Sequence, residues 1–378
     1  MKILHCIYDD KFMDGTIRVY NKDGRHENQY AYVYLEGKDL KLEYTKFKDI
    51  LHISENEFLR LSNDFDVIIL HSLKCVSLRT IASIPIKCKV VWYGWGFDLY
   101  NGSDPAVKLN LLYNETKSIV SRTKNENKLK RILYQPFRIR DRYQLKRALQ
   151  RIDYFSGVFP YEYELLIEAN PYIHAKKIDF YYGDTDFFIS DEIDTIVDGN
   201  RRNIILGNSG DPSNNHCDAL EILKQIEIPN DVKLIIPMNY GGTPAYRKIV
   251  AERAMSFFPN NTYVLDSFLP LDEYIKLVSK CQSAIFFHER QQASDNILLQ
   301  LKYGAKVFLS DTCLTYEYLK NEGYKVYSLQ KEINEMLVPL TDDDVINNRK
   351  LLASQYSSSR IGARVRVIND IIEEDLFH

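Results

Sequence analysis

The chain has 378 residues, 45% hydrophobic and 27% charged, the proportions of a folded protein with large cores and not of a disordered or fibrous one. Its length fits two domains better than one. The formal net charge is only -3, yet twelve Lys or Arg residues against two acids, Glu126 and Asp141, give residues 117–151 a local charge of +10 and leave -13 for the remainder.

Read in chain order, short apolar runs alternate with helix-compatible segments, the pattern of strand-helix-strand units in parallel sheets. Strands are expected at residues 1–8, 65–71, 87–93 and, more briefly, 154–159, making a doubly wound first domain over residues 1–190. The start of the chain runs into Asp9 and Asp10 instead of a long apolar signal core, and no apolar run approaches the roughly 20 residues of a membrane-spanning helix. The expectation is a protein on the cytoplasmic side. The six cysteines, Cys6, Cys75, Cys88, Cys217, Cys281 and Cys313, have no CxxC spacing and mostly apolar neighbours, which points to buried free thiols and away from disulfides or zinc.

Two strand ends in this half carry candidate chemistry. His71 closes one strand, and Trp92, Trp95, Asp98 and Tyr100 follow another. Aromatic rings stack on sugar faces, and a carboxylate among them can serve as a base for an attacking hydroxyl. The competing reading is a packed aromatic corner with Asp98 capping backbone N–H groups.

Residues 117–151 interleave cations with Leu129, Ile132, Leu133, Tyr134, Phe137, Ile139, Tyr143, Leu145 and Leu149 at near-helical spacing. That suits a helix lying on an anionic membrane surface. Nucleic acid and a plain solvated face are the alternatives. Asp184-Thr185-Asp186 has the D-x-D form of some metal-dependent transferases but falls in the acidic connection placed at residues 184–200, so it reads as loop punctuation.

The second half restarts the pattern over residues 191–350. Strands are expected at 203–206, 232–237, 262–265, 283–287 and 306–309, with helices at 217–225, 245–256, 271–281, 294–303 and 313–321. Residues 347–374 form one last amphipathic run, and residues 351–378 are placed as a terminal helix that crosses back to the first domain. Asp342-Asp343-Asp344 marks a helix start, where acids favour the dipole.

Ligands of such sheets bind outside the carboxyl ends of the strands. The most telling of these ends is the turn Gly207-Asn208-Ser209-Gly210-Asp211, continuing through Ser213, Asn214 and His216. Glycines let a backbone approach closely, and a helix opening near Asp211 to Asn214 would aim unpaired N–H groups at a diphosphate. An ordinary loop, capped by Asp211 or Ser213 with Pro212 at the first helical position, is the other reading. Pro237-Met238 with Tyr240 ends a second strand. His288-Glu289-Arg290-Gln291-Gln292 ends a third, with Arg290 as the candidate for phosphate charge and the two glutamines for a sugar.

Together these motifs resemble glycosyltransferase family 56, the bacterial transferases of 4-acetamido-4,6-dideoxygalactose (N-acetylfucosamine). The resemblance rests on Gly207 to Asp211 with Ser213, Asn214 and His216, on Pro237-Met238 and Tyr240, on Tyr274, on Arg290-Gln291-Gln292, and on Trp92 with Trp95, Asp98 and Tyr100. It implies a GT-B fold of two Rossmann-like α/β domains facing a central cleft. The donor site would be C-terminal and the acceptor site (Trp92, Trp95, Tyr100) N-terminal, with Asp98, His71 and Arg290 as catalytic candidates.

It further implies a dTDP-sugar donor, an undecaprenyl-diphosphate-linked acceptor in cell-surface polysaccharide assembly, no cofactor, no metal and no nucleic acid. Peripheral attachment to the cytoplasmic face of the inner membrane completes the expectation. The Glu-x7-Glu pattern of many GT-B enzymes is absent: the corresponding region, residues 291–300, offers Gln and Asn. Ala293-Ser294-Asp295-Asn296 also departs from the glycine-containing continuation of the family. A non-catalytic nucleotide-sugar-binding or scaffold subunit of a glycan assembly complex stands as the alternative function.

Overall fold

A computed structural model describes residues 1–8, 13–34, 45–102, 105–123, 135–182 and 201–377. The chain divides into two compact units, the first made of Met1–Lys108, Asn127–Phe187 and Gln355–His378, the second of Leu109–Glu126 and Phe188–Ser354.

The first unit is built on a parallel sheet. Among the described residues it comprises β1 (Lys2–Ile7), β2 (Glu27–Tyr34), β3 (Leu51–Ser54), β4 (Val67–Leu70), β5 (Lys89–Tyr93), β6 (Tyr154–Ser156) and β7 (Lys176–Lys177), in the spatial order β3-β2-β1-β4-β5-β6-β7. The central strand Val-Ile-Ile-Leu of β4 is buried at every position, as expected where helices cover both faces of a parallel sheet. The helices are α1 (Met13–Asp23), α2 (Glu55–Leu61), α3 (Leu78–Ala82), α4 (Gly96–Leu99), then α6 (Gln135–Gln150), α7 (Tyr161–Ala169) and α14 (Ser358–Phe377); the intervening α5 (Asn114–Thr123) belongs to the second unit.

Local sequence sets several of these boundaries. Ser54 and Glu57 form a reciprocal capping box that starts α2, and Ser77 Oγ accepts from the Thr80 N–H to start α3. The terminal helix α14 buries Val365, Ile368 and Ile372 in one cluster with Ile3, Val67, Val91 and Tyr154, and Asn369 donates to Asp23 at the end of α1. At its far end Asp375 accepts from Lys176 and from the Tyr154 hydroxyl and pairs with Lys89, and these partners hold its carboxyl down at about 2.

The second unit repeats the architecture. Its strands are β8 (Asn203–Leu206), β9 (Leu234–Pro237), β10 (Thr262–Leu265), β11 (Cys281–Phe286), β12 (Lys306–Leu309) and β13 (Val326–Ser328), all parallel, in the order β10-β9-β8-β11-β12-β13. The chain winds outward from β8 through β9 to β10, then returns to the other side of β8 to lay down β11, β12 and β13. The helices are α5 (Asn114–Thr123), α8 (His216–Leu223), α9 (Pro244–Phe257), α10 (Leu271–Val278), α11 (Ser294–Lys302), α12 (Leu314–Asn321) and α13 (Asp342–Tyr356).

Three features differ from the expectations set by the sequence. The run at 347–374 is two helices, α13 and α14, parted at Ser357. Strands β2, β3, β7 and β13 are additional to those expected. The basic stretch is divided: α5 docks on unit 2, with Ile119 in its core and Asp218 accepting from the Glu115 and Thr116 N–H groups, whereas α6 belongs to unit 1. The expected connection at 184–200, the Asp184-Thr185-Asp186 motif and residues 124–134 lie outside the described residues. All six cysteines are free and buried. Among the described residues no helix is long and apolar enough to cross a membrane.

Candidate active site

In unit 2 the winding reverses between β8 and β11, which are hydrogen-bonded neighbours. The loops that leave the carboxyl ends of these two strands therefore start side by side at the topological switch point, where open α/β sheets bind ligands. The loop after β8 is the Gly207 turn, and the loop after β11 is His288 to Gln292.

The Gly207 turn is held by its own side chains. Gly207 has φ +73, and a Cβ there would sit 2.8 Å from Asn214 Oδ1 and 2.9 Å from His216 Nε2, so only glycine fits. Asn214, fully buried, is the organiser: its Oδ1 accepts from the Asn208 N–H (3.1 Å) and from His288 Nε2 (2.9 Å), and its Nδ2 donates to Ser209 Oγ (3.2 Å) and to the Asp211 carbonyl (3.0 Å). All four of its hydrogen-bonding positions are used within the protein, so Asn214 shapes the turn and has nothing left for a donor molecule.

The α-helix does not open at Asp211 as the sequence suggests. Asp211 instead caps a 3-10 turn over Pro212–Asn214, its Oδ1 accepting from the Ser213 N–H and Oγ. Asn215 then adopts a left-handed conformation (φ 50), and α8 begins at His216.

His216 is fully buried. Its Nδ1 meets the Tyr246 hydroxyl at 3.2 Å, while Nε2, beside Gly207, has no hydrogen-bond partner among the described residues. Burial pushes its pKa down to about 4, so the ring is neutral at physiological pH. His288 is likewise held well below its usual value, first by burial and then by the nearby Arg290 charge.

The two loops are tied directly. Ser213 Oγ lies 2.6 Å from Gln292 Oε1, and Gln292 Nε2 reaches Asn208 Oδ1 (3.4 Å). Gln291 is buried, and its carbonyl accepts from Nη1 of Arg290, itself only 8% exposed. The loop after β9 closes on the other side: Gly210 N–H donates to the Tyr240 carbonyl (2.7 Å), and Asn208 Nδ2 to the Tyr240 hydroxyl (3.2 Å).

Met238 is 2% exposed in the core, and Pro237 lies within β9 and is buried. Both residues therefore support the loop without facing a ligand. Tyr274 donates to Asn296 Oδ1 (2.7 Å), clamping α10 to α11.

Two residues missed by sequence reasoning complete this edge. Asn215 Nδ2 bridges the carbonyls of Leu111, Ser213 and Phe287, and its Oδ1 accepts from the Tyr113 N–H. Tyr113 is thereby fixed over Phe287, with ring centroids 4.8 Å apart, beside Glu289. Nothing local in the sequence signals either role, because the partners lie up to 199 positions away.

In unit 1 the expected acceptor residues prove mostly structural. Trp92 is fully buried, its ring packed on Phe155, and Tyr100 is buried with its hydroxyl bonded to Glu162 Oε1 (2.8 Å). Neither can serve as a sugar platform. Only Trp95 of the three stays half-exposed, with Nε1 donating to the His71 carbonyl and its ring over Tyr182.

Asp98 is not a base in waiting. Its Oδ2 accepts from Ser72 Oγ (2.9 Å), the Leu73 N–H (2.8 Å) and Trp92 Nε1 (3.0 Å), and its Oδ1 accepts from the Trp95 N–H (2.6 Å). Burial raises its pKa against these four bonds. The packed-corner reading accounts for it. His71 is also buried and neutral, its Nε2 on His5 Nδ1 (3.1 Å) and its Nδ1 on the Tyr182 hydroxyl (3.0 Å).

Two parallel-sheet α/β units, the second with a glycine turn at its switch point, give the chain the GT-B fold. Solved structures share the fold. A glycosyltransferase from Rickettsia africae matches with TM-score 0.64 and 14% identity over 100% of this chain and 99% of its own. Anabaena HepE, solved with UDP and glucose, matches with TM-score 0.63 and 12% identity over 98% of this chain and 99% of its own. A chain of the GtfA/B complex matches with TM-score 0.54 and 11% identity over 84% of this chain, which spans only 60% of that longer chain.

At the level of sequence, the family model described as 4-alpha-L-fucosyltransferase, glycosyl transferase group 56, matches residues 134–355, more than half of the chain. The chain belongs to this family and is a glycosyltransferase.

Proposed function

We propose that unit 2 grips a dTDP-activated 4-acetamido-4,6-dideoxyhexose and that the enzyme passes this sugar to an undecaprenyl-diphosphate-linked saccharide in the assembly of a cell-surface polysaccharide. The observation that carries the donor half is the pairing of the Gly207 turn with the His288–Gln292 loop at the switch point of the sheet. The N–H groups of Gly207, Asn208, Gly210 and Asp211 are spent holding the turn in shape, so the Arg290 guanidinium beside it is the group that meets the charge developing on the departing diphosphate, a fixed charge in place of reorienting water. A neighbour of the same fold was solved with UDP and glucose, which supports a nucleotide sugar as donor. The family description names an L-fucosyltransferase, which supports a 6-deoxyhexose as the sugar.

With these groups in place the reaction proceeds without a metal, so chelation by EDTA leaves the rate unchanged. Asp98 and His71, their lone pairs engaged, position the acceptor side and do not take a proton from it.

Helix α6 supports peripheral attachment to a membrane. It exposes Ile139 (73%) and Tyr143 (62%) one turn apart among Arg140, Arg142, Lys146 and Arg147, while Ala148 and Leu149 are buried. Each basic residue near an anionic surface contributes about 1 kcal/mol.

A thermal-shift panel of dTDP, UDP and GDP tests the donor reading. dTDP at 100 times its dissociation constant stabilises by about 2.7 kcal/mol, and a panel without any response overturns the proposal. Sedimentation with anionic and neutral vesicles tests attachment: binding to neither overturns it.

A further inference from the structure

Beside the diphosphate turn, on its β12 side, lies a second polar cluster that the donor reading does not use. Gln330 Nε2 donates to Ser310 Oγ (3.0 Å), Ser310 Oγ lies 2.6 Å from the Tyr113 hydroxyl, and that hydroxyl donates to Glu289 Oε2. Thr312 Oγ1 donates to the same carboxylate oxygen (2.8 Å). The chain of donors runs one way, each hydroxyl passing its proton toward Glu289, and it gathers the ends of β11, β12 and β13 with the segment that enters α5.

The effect is to fix one carboxylate oxygen and leave the other, Oε1, without a hydrogen-bond partner among the described residues. Glu289 is half-buried, and it follows His288, which is bonded to Asn214 of the diphosphate turn. A carboxylate so held presents an acceptor at a defined place next to the switch point.

We infer that Glu289, positioned by Tyr113 and Thr312, reads the sugar of the bound donor by accepting a hydrogen bond at Oε1 from one of its hydroxyl or amide N–H groups. The inference rests on the proposed donor site, since it places the sugar on the β12 side of a diphosphate held at Gly207. A carboxylate offers no donor, so a sugar presenting a bare methyl or an acceptor there covers the charge without satisfying it and is rejected.

The test is calorimetry of dTDP and of a panel of dTDP-sugars (glucose, rhamnose, and 4-amino- and 4-acetamido-4,6-dideoxyhexoses) against the wild type, Glu289→Ala, Glu289→Gln and Tyr113→Phe. The wild type binds at least one dTDP-sugar about 10-fold or more tighter than dTDP, the size of one charge-assisted bond. In Glu289→Ala that ratio falls to about one while dTDP affinity holds. Tyr113→Phe, which leaves the carboxylate in place but loosens it, lowers the ratio part-way.

A wild type that binds no dTDP-sugar tighter than dTDP overturns the inference, as does a ratio that survives in both Glu289 variants. Failure of dTDP itself to bind the wild type removes the donor site instead, so the two failures are told apart. Thermal unfolding of each variant separates a lost contact from a lost fold.

Discussion

Replacing Gly242 by Ala is the sharpest probe of the donor turn. At φ +61, a Cβ on Gly242 would lie 2.0 Å from the Gly210 carbonyl oxygen and 2.9 Å from its carbonyl carbon. Ordinary carbon–oxygen contact is about 3.3 Å, so the loop after β9 and the Gly207 turn must part by about 1.3 Å. Left-handed backbone costs an alanine roughly 1–2 kcal/mol, and relieving the overlap about 1–3 more.

Gly323→Ala isolates the first cost, because Gly323 has φ +89 but its nearest neighbour, Leu351 Cδ1, lies 3.7 Å from where the alanine methyl would sit. Melting temperatures should therefore fall in both variants, by about 2–4 °C per kcal/mol in a unit of this size, and further in Gly242→Ala. Only Gly242→Ala should lose the nucleotide, since a misplacement of about 1 Å costs on the order of 100-fold at a preorganised site. The assay is a dTDP titration of both variants. If Gly242→Ala binds dTDP within about twofold of Gly323→Ala, the contact between these loops does not shape the site.

Arg290→Ala should reduce turnover by about 100- to 1,000-fold, the cost of one stabilising group at a developing charge; steady-state kinetics at wild-type rates would remove Arg290 from the reaction. Asp98→Asn turns an amide N–H toward the Trp95 N–H or the trio of donors on Oδ2, and should cost about 1–3 kcal/mol of stability in urea melts without abolishing dTDP binding. An equally stable Asp98→Asn that has lost turnover would return Asp98 to the chemistry.

Acid should destabilise the protein. His5 and His216 are both lowered to about 4, chiefly by burial, so between pH 6.5 and 4 the unfolded chain binds more protons than the folded one and stability falls as pH drops through that window. Each contributes about 3 kcal/mol over the whole range. His71 and His288 act in the same direction. A urea midpoint equal at pH 6.5 and 5 would contradict this assignment.

What the sequence makes legible follows from how local each signal is. Strands such as Asn203–Leu206, Thr262–Leu265 and Lys306–Leu309 are short apolar runs bounded by turn residues, and their limits can be read directly from those boundaries. Glu27–Tyr34 hides because its apolar residues are largely tyrosines beside Asn and Gln, which become strand only by pairing with β1. The break at Ser357 hides inside a continuous helical pattern.

Among the site residues, Gly207 and Asp211 announce themselves by residue type, whereas Asp98 looks catalytic in sequence and becomes structural only because Ser72 and Leu73, some 25 positions earlier, aim their donors at it. Tyr113 carries no signal, since its partner Glu289 is brought to it by the packing of α5 on unit 2.

The interleaved path of the chain dictates the order in which the molecule can assemble on a ribosome. The face of the first sheet that carries Ile3, Val67 and Val91 is completed only by Val365, Ile368 and Ile372 of α14. At about 5–20 residues per second, that face waits on the order of 10–40 s between emergence of β6 and synthesis of the helix that seals it. A nascent chain in this interval exposes an apolar surface that a holding chaperone would recognise, and a ribosome stalled short of residue 358 leaves it uncovered.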